Sequence, residues 1–316
     1  MSRFSNDAIE IHTTAESSAV VVGGITGFSD SLNSSVSTPD SATPYDLFHS
    51  IQAQSPDAAF STEAIRAILD NVGFTGKCIA SDGTHPGVRF YRRKHDPCGP
   101  QGRASGSVHE RLTFEDGHLF IDSLSIPAGG NAVINLTAHA TEPDYVTQPY
   151  VVAYNAALPS SPITNQQFTL GRRVFVGGTQ ITQVTNVSVA WNVNFEKPQY
   201  GGSIWPTLVD IQKIKALITI TSDDMSILDA SKIPRSGKAC ANANSLFELQ
   251  RRQQNAGLYD ISATEHILAR FSGFAVVSRK QASGGGAGNV EIQVATLDDG
   301  TNEPITFATG VSIAPS

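Results

Sequence analysis

The sequence predicts an all-β protein, a β-sandwich or barrel with one or two short flanking α-helices. Several segments alternate apolar and polar residues with a period of two, as half-buried strands do. Turn-forming residues are frequent, with 27 Gly and 16 Pro in 316 residues. Nowhere do predicted strands alternate regularly with helical patterns, so we expect antiparallel sheets rather than a parallel α/β fold.

The clearest alternation lies in the middle of the chain and predicts one long, flat strand over residues 187–195. Its apolar positions are Val187, Val189, Trp191, Val193 and Phe195. After a break at 197–202, residues 214–221 alternate in the same way, with Ile214, Ala216, Ile218 and Ile220 on one side. We expect the two runs to form a large antiparallel pair.

The second face of the first run carries small uncharged groups at Ser188, Ala190, Asn192 and Asn194, whereas a solvated sheet face usually shows Lys and Glu. On the second run the alternating positions are Lys213, Lys215, Thr219 and Thr221, which are further candidates for an interface. Small uncharged groups are inexpensive to desolvate, so one interpretation of this face is a contact with an identical subunit. An ordinary sandwich strand with short outer side chains is the alternative interpretation.

Two helices are predicted. Ser61 or Thr62 would cap the first, which bears an apolar stripe up to Val72 and stops at Gly73. The second would begin at Asn244 or Ser245 and carry Leu246, Phe247 and Leu249.

Turn and loop signals divide the rest of the chain. Ser55-Pro56-Asp57 is typical of a hairpin turn, and residues 29–43 have the composition of a surface loop. We expect an N-terminal strand and loop over 1–43 and a single β-sandwich domain over 44–316. That domain has an elaborated, proline-rich loop at 141–165.

Composition limits the function. The net charge is −7 and only 16 % of residues are charged, which argues against a general nucleic-acid binder. The start of the chain lacks the pattern of a secretory signal, and no apolar run reaches the ~18 residues that cross a bilayer. We expect a soluble protein made in a cytoplasm. Its three cysteines, Cys78, Cys98 and Cys240, are an odd set without a Cys-x-x-Cys pair and are expected to be free thiols.

A dense basic run contains Arg89, Arg92 and Arg93. It can be interpreted as solvated cations at a strand end or as an electrostatic contact with an acidic neighbouring subunit.

No motif indicates catalysis, a cofactor or a metal. A zinc site from Cys78, His85, His95 and Cys98 would have unfamiliar spacing. Residues 223–224 and 298–300 lack the alternating ligand set of a calcium loop, and turn formation explains their Asp residues better. We therefore expect a protein that is not an enzyme.

The order of elements resembles the tail tube, or major tail, proteins of long-tailed bacteriophages and prophages. The likeness spans most of the chain. It is carried by residues 181–189 and 200–220, by Ala59-Phe60-Ser61-Thr62 leading into a helix that ends at residues 72–76, by residues 106–109, and by the end from 288 to 306.

This resemblance implies a β-sandwich that assembles into hexameric rings, which stack into a tube conducting DNA in the virion tail. The central pair would form part of the inner barrel, and residues 29–43 or 142–162 the contact between rings. Partners would be further copies of the chain and other tail proteins, such as the tape measure, terminator and baseplate proteins. DNA would pass without specific binding, and no membrane would be involved.

Two other functional classes stay open. Another virion β-sandwich, such as a neck, terminator or capsid-decoration protein, would share the sheet patterns. A carbohydrate-binding module or glycosidase would need a row of exposed aromatic side chains and a carboxylate pair. The only tryptophans, Trp191 and Trp205, lie within apparent strand-pair sequence, where core packing explains them better.

Overall fold

A computed structural model describes residues 4–12, 19–37, 50–79, 87–94, 109–142, 144, 148–159, 164, 166–229, 231–235, 237–241, 244–253, 257–280, 288–297 and 303–314. These residues contain 22 strands, one α-helix and one 3-10 helix. The helices are α1 Ile65–Val72 and the 3-10 helix Met225–Leu228. The strands are β1 Phe4–Ile11, β2 Val20–Val22, β3 Ile25–Ser37, β4 Ser50–Thr62, β5 Lys77–Ile79, β6 Val88–Lys94, β7 His109–Phe114, β8 Gly117–Pro127, β9 Val133–Ala140, β10 Tyr150–Ala156, β11 Phe168–Val176, β12 Thr179–Gln180, β13 Val184–Ala190, β14 Val193–Glu196, β15 Asp210–Ile214, β16 Leu217–Ser222, β17 Lys238–Cys240, β18 Leu246–Arg251, β19 His266–Phe271, β20 Gly273–Lys280, β21 Asn289–Thr296 and β22 Ile305–Val311.

The strands form three main antiparallel sheets, which confirms the predicted all-β class. The large sheet has ten strands in the order β17-β20-β21-β16-β13-β8-β9-β4-β3, with β5 paired to β8. The N-terminal sheet has the order β10-β7-β6-β1-β2, and the C-terminal sheet the order β12-β11-β18-β19-β22. Strands β14 and β15 pair only with each other, and we call them the ribbon.

One face of the large sheet packs against both smaller sheets. Phe90 of the N-terminal sheet lies 5.3 Å from Phe28 and 5.8 Å from Phe60, measured between ring centroids. At the other half of the large sheet, Trp191 stacks on Phe307 of the C-terminal sheet at 6.1 Å. Each large side chain buried in this way contributes ~1.5–3 kcal/mol, so these aromatic contacts hold the layers together.

Helix α1 confirms the first helical prediction and closes part of this core. Ile65 and Ile68 are fully buried, and Gly73 ends the helix at a positive φ of 74°. Ala64 is the N-cap residue and no side chain caps the helix, so the predicted cap at Ser61 or Thr62 is wrong. Thr62 lies two residues before the N-cap: its hydroxyl accepts a hydrogen bond from the Ala64 N–H at 3.0 Å and donates one to the Gly23 carbonyl at 2.6 Å. The helix therefore starts from the end of β4.

The second predicted helix is wrong, because residues 246–251 form strand β18 in the C-terminal sheet. Glu248, which a helix would expose, is buried on this strand and pairs with Arg173 of β11. Burial raises the pKa of Glu248, and the hydrogen bonds and charge of Arg173 oppose that rise. The apolar positions 246, 247 and 249 fit a helical spacing, but pairing with β11 and β19 on both sides decides the conformation.

The predicted turn at Ser55-Pro56-Asp57 is also wrong. These residues lie inside β4, a strand of 13 residues that pairs with β3 along its length. Proline has no backbone N–H to donate to a neighbouring strand. Pro56 is tolerated because β9 begins to pair with β4 only at Asp57, so no hydrogen bond to β9 is lost at Pro56. Residues 29–37 of the expected surface loop belong to β3, and residues 38–43 lie outside the described part.

The central pair is confirmed, but the long flat strand is not. β13 pairs with β16 in the predicted antiparallel sense, with Val187 opposite Ile220 and Val189 opposite Ile218. The strand then breaks at Trp191-Asn192, where Asn192 has a φ of 46°. Residues 193–196 leave the large sheet and enter the ribbon instead.

Part of the proline-rich stretch covers the second face of the N-terminal sheet. A small cluster of Ala8, Val21 and Tyr91 packs there with Leu158. Thr164 anchors this segment, since its N–H donates to the Val21 carbonyl at 2.9 Å. Residues 150–156 of the same stretch form β10, an edge strand of this sheet.

The same face holds a buried carboxylate, Glu10. It accepts a hydrogen bond from the Tyr91 hydroxyl at 2.6 Å and lies 3.4 Å from Arg89 and 3.8 Å from His12. Burial alone would raise the pKa of Glu10, but hydrogen bonds from His12 and Tyr91, with the charges of His12 and Arg89, lower it to about 2. Burial and the neighbouring carboxylate raise the pKa of Tyr91 to about 12.

Candidate assembly surface

The face of the large sheet opposite the core, here called the outer face, is uncharged along two rows of side chains. The first row crosses nine strands and contains Gly27, Ser61, Asn135, Ser123, Ala190, Leu217, Ala295, Phe274 and Ala239. The second contains Val133, Ser125, Ser188, Thr219, Gln293 and Val276. At ~4.8 Å between strands, the first row is about 38 Å long.

Strand alternation explains this surface. Between the outward positions of β13 and β16 lie Val187, Val189, Ile218 and Ile220, all with no exposed surface. Once these side chains are buried against the smaller sheets, the period of two directs Ser188 and Thr219 to the opposite side. The sequence thus specifies both a core face and a broad face of small polar groups.

The polar side chains of the first row bond one another across three strands. The Ser61 hydroxyl donates to the Asn135 side-chain oxygen at 2.6 Å, and the Asn135 amide donates to the Ser123 hydroxyl at 2.8 Å. Because these groups already have partners, covering them costs less than covering polar groups that rely on water. This part of the surface is suited to burial by another protein.

The β20 end of the outer face is apolar. Phe274 and Val276 are 49 % and 50 % exposed, and Leu297, just after β21, is 47 % exposed. Leu297 and Leu217 also line an open groove of about 540 Å³. Exposed apolar side chains grouped in this way make the β20 end a candidate binding surface.

The ribbon covers the other end of the outer face. Phe195 stacks on Phe120 with ring centroids 5.5 Å apart and planes inclined by 14°, and it lies 4.5 Å from the His139 ring. Lys197 Nζ lies 2.6 Å from the Asp57 carboxylate, and His139 Nδ1 lies 2.7 Å from the same carboxylate oxygen. Burial would raise the pKa of Asp57, but hydrogen bonds from His139 and Lys197 lower it. This ion-paired cluster fixes the ribbon against the sheet.

Two edges of the large sheet end in strands with a free side among the described residues. β3 pairs only with β4, and β20 pairs on its outer side with β17 only over residues 273–275. Unpaired backbone N–H and C=O groups at a sheet edge are a ready template for pairing with another chain. The outer face therefore lies between two edges that can extend the sheet.

The structure brings together some of the residues predicted for an interface and separates others. Ser188, Ala190, Thr219 and Thr221 lie on the outer face, whereas Lys213 and Lys215 line the groove. Asn192 lines the same groove, where its amide donates to the Lys215 carbonyl at 3.1 Å at the strand break. Asn194 belongs to the ribbon.

The predicted basic contact lies on β6 in the N-terminal sheet, where its arginines meet acidic groups of the same chain. Arg89 pairs with Glu10, and Arg92 pairs with Asp30 at 3.0 Å and with Glu110. Arg93 lies on the same strand. Since Arg89 and Arg92 already have carboxylate partners, the outer face is the better candidate for contact between subunits.

Sequence reasoning missed the apolar end of the outer face and the bonded row from Ser61 to Ser123. Residues 273–280 carry apolar side chains on both faces, with Phe274 and Val276 outside and Ala275 and Val277 inside. A period of two cannot identify the outer side of such a strand. The bonded row depends on strand neighbours up to 74 residues apart in the chain, which no local pattern records.

The groups considered for metal binding serve other purposes where they are described. No cluster of three or more potential metal-ligating side chains occurs among the described residues. Asp224 accepts a hydrogen bond from the Ser226 N–H and caps the 3-10 helix, as expected for a turn residue. His85, His95, Cys98 and residues 298–300 lie outside the described part.

Comparisons with known proteins add no family assignment. No family model matches the chain, and no curated protein matches it. Within the described residues, no helix is both long enough and apolar enough to span a bilayer.

Proposed function

We propose that this chain is a structural virion protein, the subunit of a phage tail tube that self-assembles into stacked hexameric rings around a DNA-conducting channel. The observation that carries the proposal is the outer face of the large sheet. Two rows of outward side chains cross it without a charge, and its β20 end exposes Phe274 and Val276. Its apolar end is costly to leave in water, and its small uncharged polar groups are inexpensive to cover with protein.

The charge balance supports the same function. A net charge of −7 would repel the phosphate backbone, so DNA could pass along a channel without sticking to its wall. The partners are then further copies of the chain and the tape measure, terminator and baseplate proteins of the tail. No cofactor is required.

The two tryptophans give the carbohydrate-binding alternative no support. Trp191 is fully buried, and the Trp205 ring nitrogen donates to the Gln54 side chain at 2.8 Å on a half-buried surface. Neither indole belongs to an exposed stacking row of the kind that sugar binding uses. Another virion β-sandwich would use the same outer face, and particle morphology distinguishes it from a tail tube.

Assembly is the test. Purified chain, examined by negative-stain electron microscopy and by sedimentation velocity over a range of concentrations, should form rings or tubes with a central channel. A species that stays monomeric at high concentration would contradict the proposal. Closed particles without a channel would favour the other virion proteins.

A further inference from the structure

Cys78 and His118 form a thiol–imidazole pair at the margin of the large sheet. Cys78 on β5 lies directly opposite His118 on β8, so both side chains project from the same face. The Cys78 sulfur lies 3.7 Å from His118 Nδ1, and the cysteine is exposed. An accessible thiol with an imidazole nitrogen in hydrogen-bonding range has the composition of an activated nucleophile.

The imidazole is fixed in the orientation that this chemistry needs. His118 Nε2 lies 3.3 Å from the Thr75 carbonyl oxygen, and Phe120 stacks on the ring at 4.3 Å. A carbonyl oxygen only accepts, so Nε2 carries the proton and Nδ1 presents its lone pair to the Cys78 thiol. Burial lowers the pKa of His118, the hydrogen bond to Thr75 opposes this, and the charge of His139 adds to the lowering. The ring is therefore neutral at neutral pH, and its unprotonated Nδ1 faces the Cys78 sulfur.

Gly76 makes this close packing possible. Its φ is 82°, and a Cβ there would lie 2.9 Å from His118 Nε2 and 2.7 Å from the Leu119 carbonyl oxygen. A side chain at this position would displace the imidazole from Thr75. The loop from Thr75 to Cys78 and the histidine thus form one built unit.

We propose that Cys78 is a thiol-modification site, with His118 as its proton acceptor, and that it reacts with small disulfides of the glutathione class. The Cys78 sulfur attacks one sulfur of the disulfide while its proton passes to His118 Nδ1. The new sulfur–sulfur bond forms as the old one breaks, and the departing thiolate takes the proton from His118. The products are a mixed disulfide at Cys78 and one free small thiol, so the added disulfide is the only oxidant required.

Cys240 is an internal comparison within the same chain. It is 4 % exposed, and burial raises the pKa of its thiol despite neighbouring hydrogen-bond donors. A buried thiol whose charged form is disfavoured reacts slowly.

The test measures mixed-disulfide formation with oxidised glutathione, with each cysteine followed separately by peptide mass spectrometry between pH 5.5 and 9. A thiol without a base loses reactivity about tenfold per pH unit below its pKa of ~8.5. With His118 as base, the Cys78 rate should instead stay nearly level from about pH 8 to 6.5, because it then depends on neutral imidazole. A synthetic peptide of residues 74–82, which lacks His118, provides the reference rate for an unassisted thiol.

His118→Phe keeps an aromatic ring against Phe120 and removes both nitrogens. We expect it to slow Cys78 at pH 7 by roughly tenfold or more and to restore the steep pH dependence, while Cys240 stays unreactive. If wild-type Cys78 matches the peptide in rate and in pH profile, the proposal is wrong. An unchanged rate in a folded His118→Phe variant would also overturn it. Should that variant fail to fold, the wild-type pH profile decides.

Discussion

A charge placed at the centre of the outer face should prevent assembly without unfolding the subunit. Thr219 lies in the second uncharged row, between Ser188 on β13 and Gln293 on β21, and its side chain is half-buried. In the free subunit, Glu or Lys at this position can extend into water. The expected loss of folding stability is therefore below ~1 kcal/mol, which is the span of strand propensities.

In the assembled protein the same charge would be covered without a partner. Leaving an unpaired charge buried costs ~3 kcal/mol or more, and each 1.4 kcal/mol changes an equilibrium constant about tenfold. The concentration at which rings form should therefore rise by roughly 100-fold or more for both Thr219→Glu and Thr219→Lys. Sedimentation velocity over a concentration series measures this midpoint, and circular dichroism checks the fold.

The matched controls are Thr264→Glu and Thr264→Lys. Thr264 is exposed in a turn away from the large sheet, so both variants should assemble at the wild-type concentration. Normal assembly of both Thr219 variants would refute the assignment of the outer face as an interface. If only one sign of charge blocked assembly, the covering surface would carry charge of that same sign, and the argument from an uncharged contact would fail.

Three further changes test the packing by chemical denaturation. Folding lowers the pKa of the Glu10 carboxyl from 4.5 to about 2, which adds about 3 kcal/mol to the free energy of unfolding at neutral pH. This contribution is lost as the pH falls through that range. Glu10→Gln should therefore flatten the pH dependence of stability between pH 4.5 and 2. Arg173→Leu leaves Glu248 buried without its cation and should cost ~3–5 kcal/mol, and adding Glu248→Leu should recover most of that loss. Gly117 has a φ of 137°, and Gly117→Ala would put a Cβ 1.8 Å from a backbone carbonyl oxygen of β9. This change should lower the free energy of unfolding by more than ~2 kcal/mol. Gly129→Ala is the control: it has open space around it and should be nearly neutral.

Local patterns predicted those elements whose packing is decided by their own side chains. The period of two in residues 187–190 and 217–221 identified β13 and β16 because one face of each is wholly buried. Helix α1 could be predicted for a similar reason, since its apolar stripe meets the core and Gly73 supplies the positive φ that ends it.

Partners distant in the chain decided the elements that were predicted wrongly. Strand β18 carries Glu248 toward Arg173, which is 75 residues away, and nothing in the sequence around Leu246 indicates that pairing. Pro56 has the local signature of a turn, yet β4 runs through it because the pairing of β9 stops one residue short. Secondary structure in a sheet of this size is a tertiary property, so local propensity cannot specify it fully.

The break at Asn192 changes which predicted interface residues can act together. The alternation from Val187 to Phe195 continues through the break, because Trp191 is buried in the core and Phe195 is packed on Phe120 of the outer face. Positions 191 and 195 therefore both require apolar residues, although Trp191 is covered on the core side of the large sheet and Phe195 on its outer face. Asn194 then projects from the ribbon and not from the row that contains Ser188. A charge at Asn194 tests the ribbon, a charge at Thr219 tests the sheet, and only the second bears on the uncharged rows from which assembly is inferred.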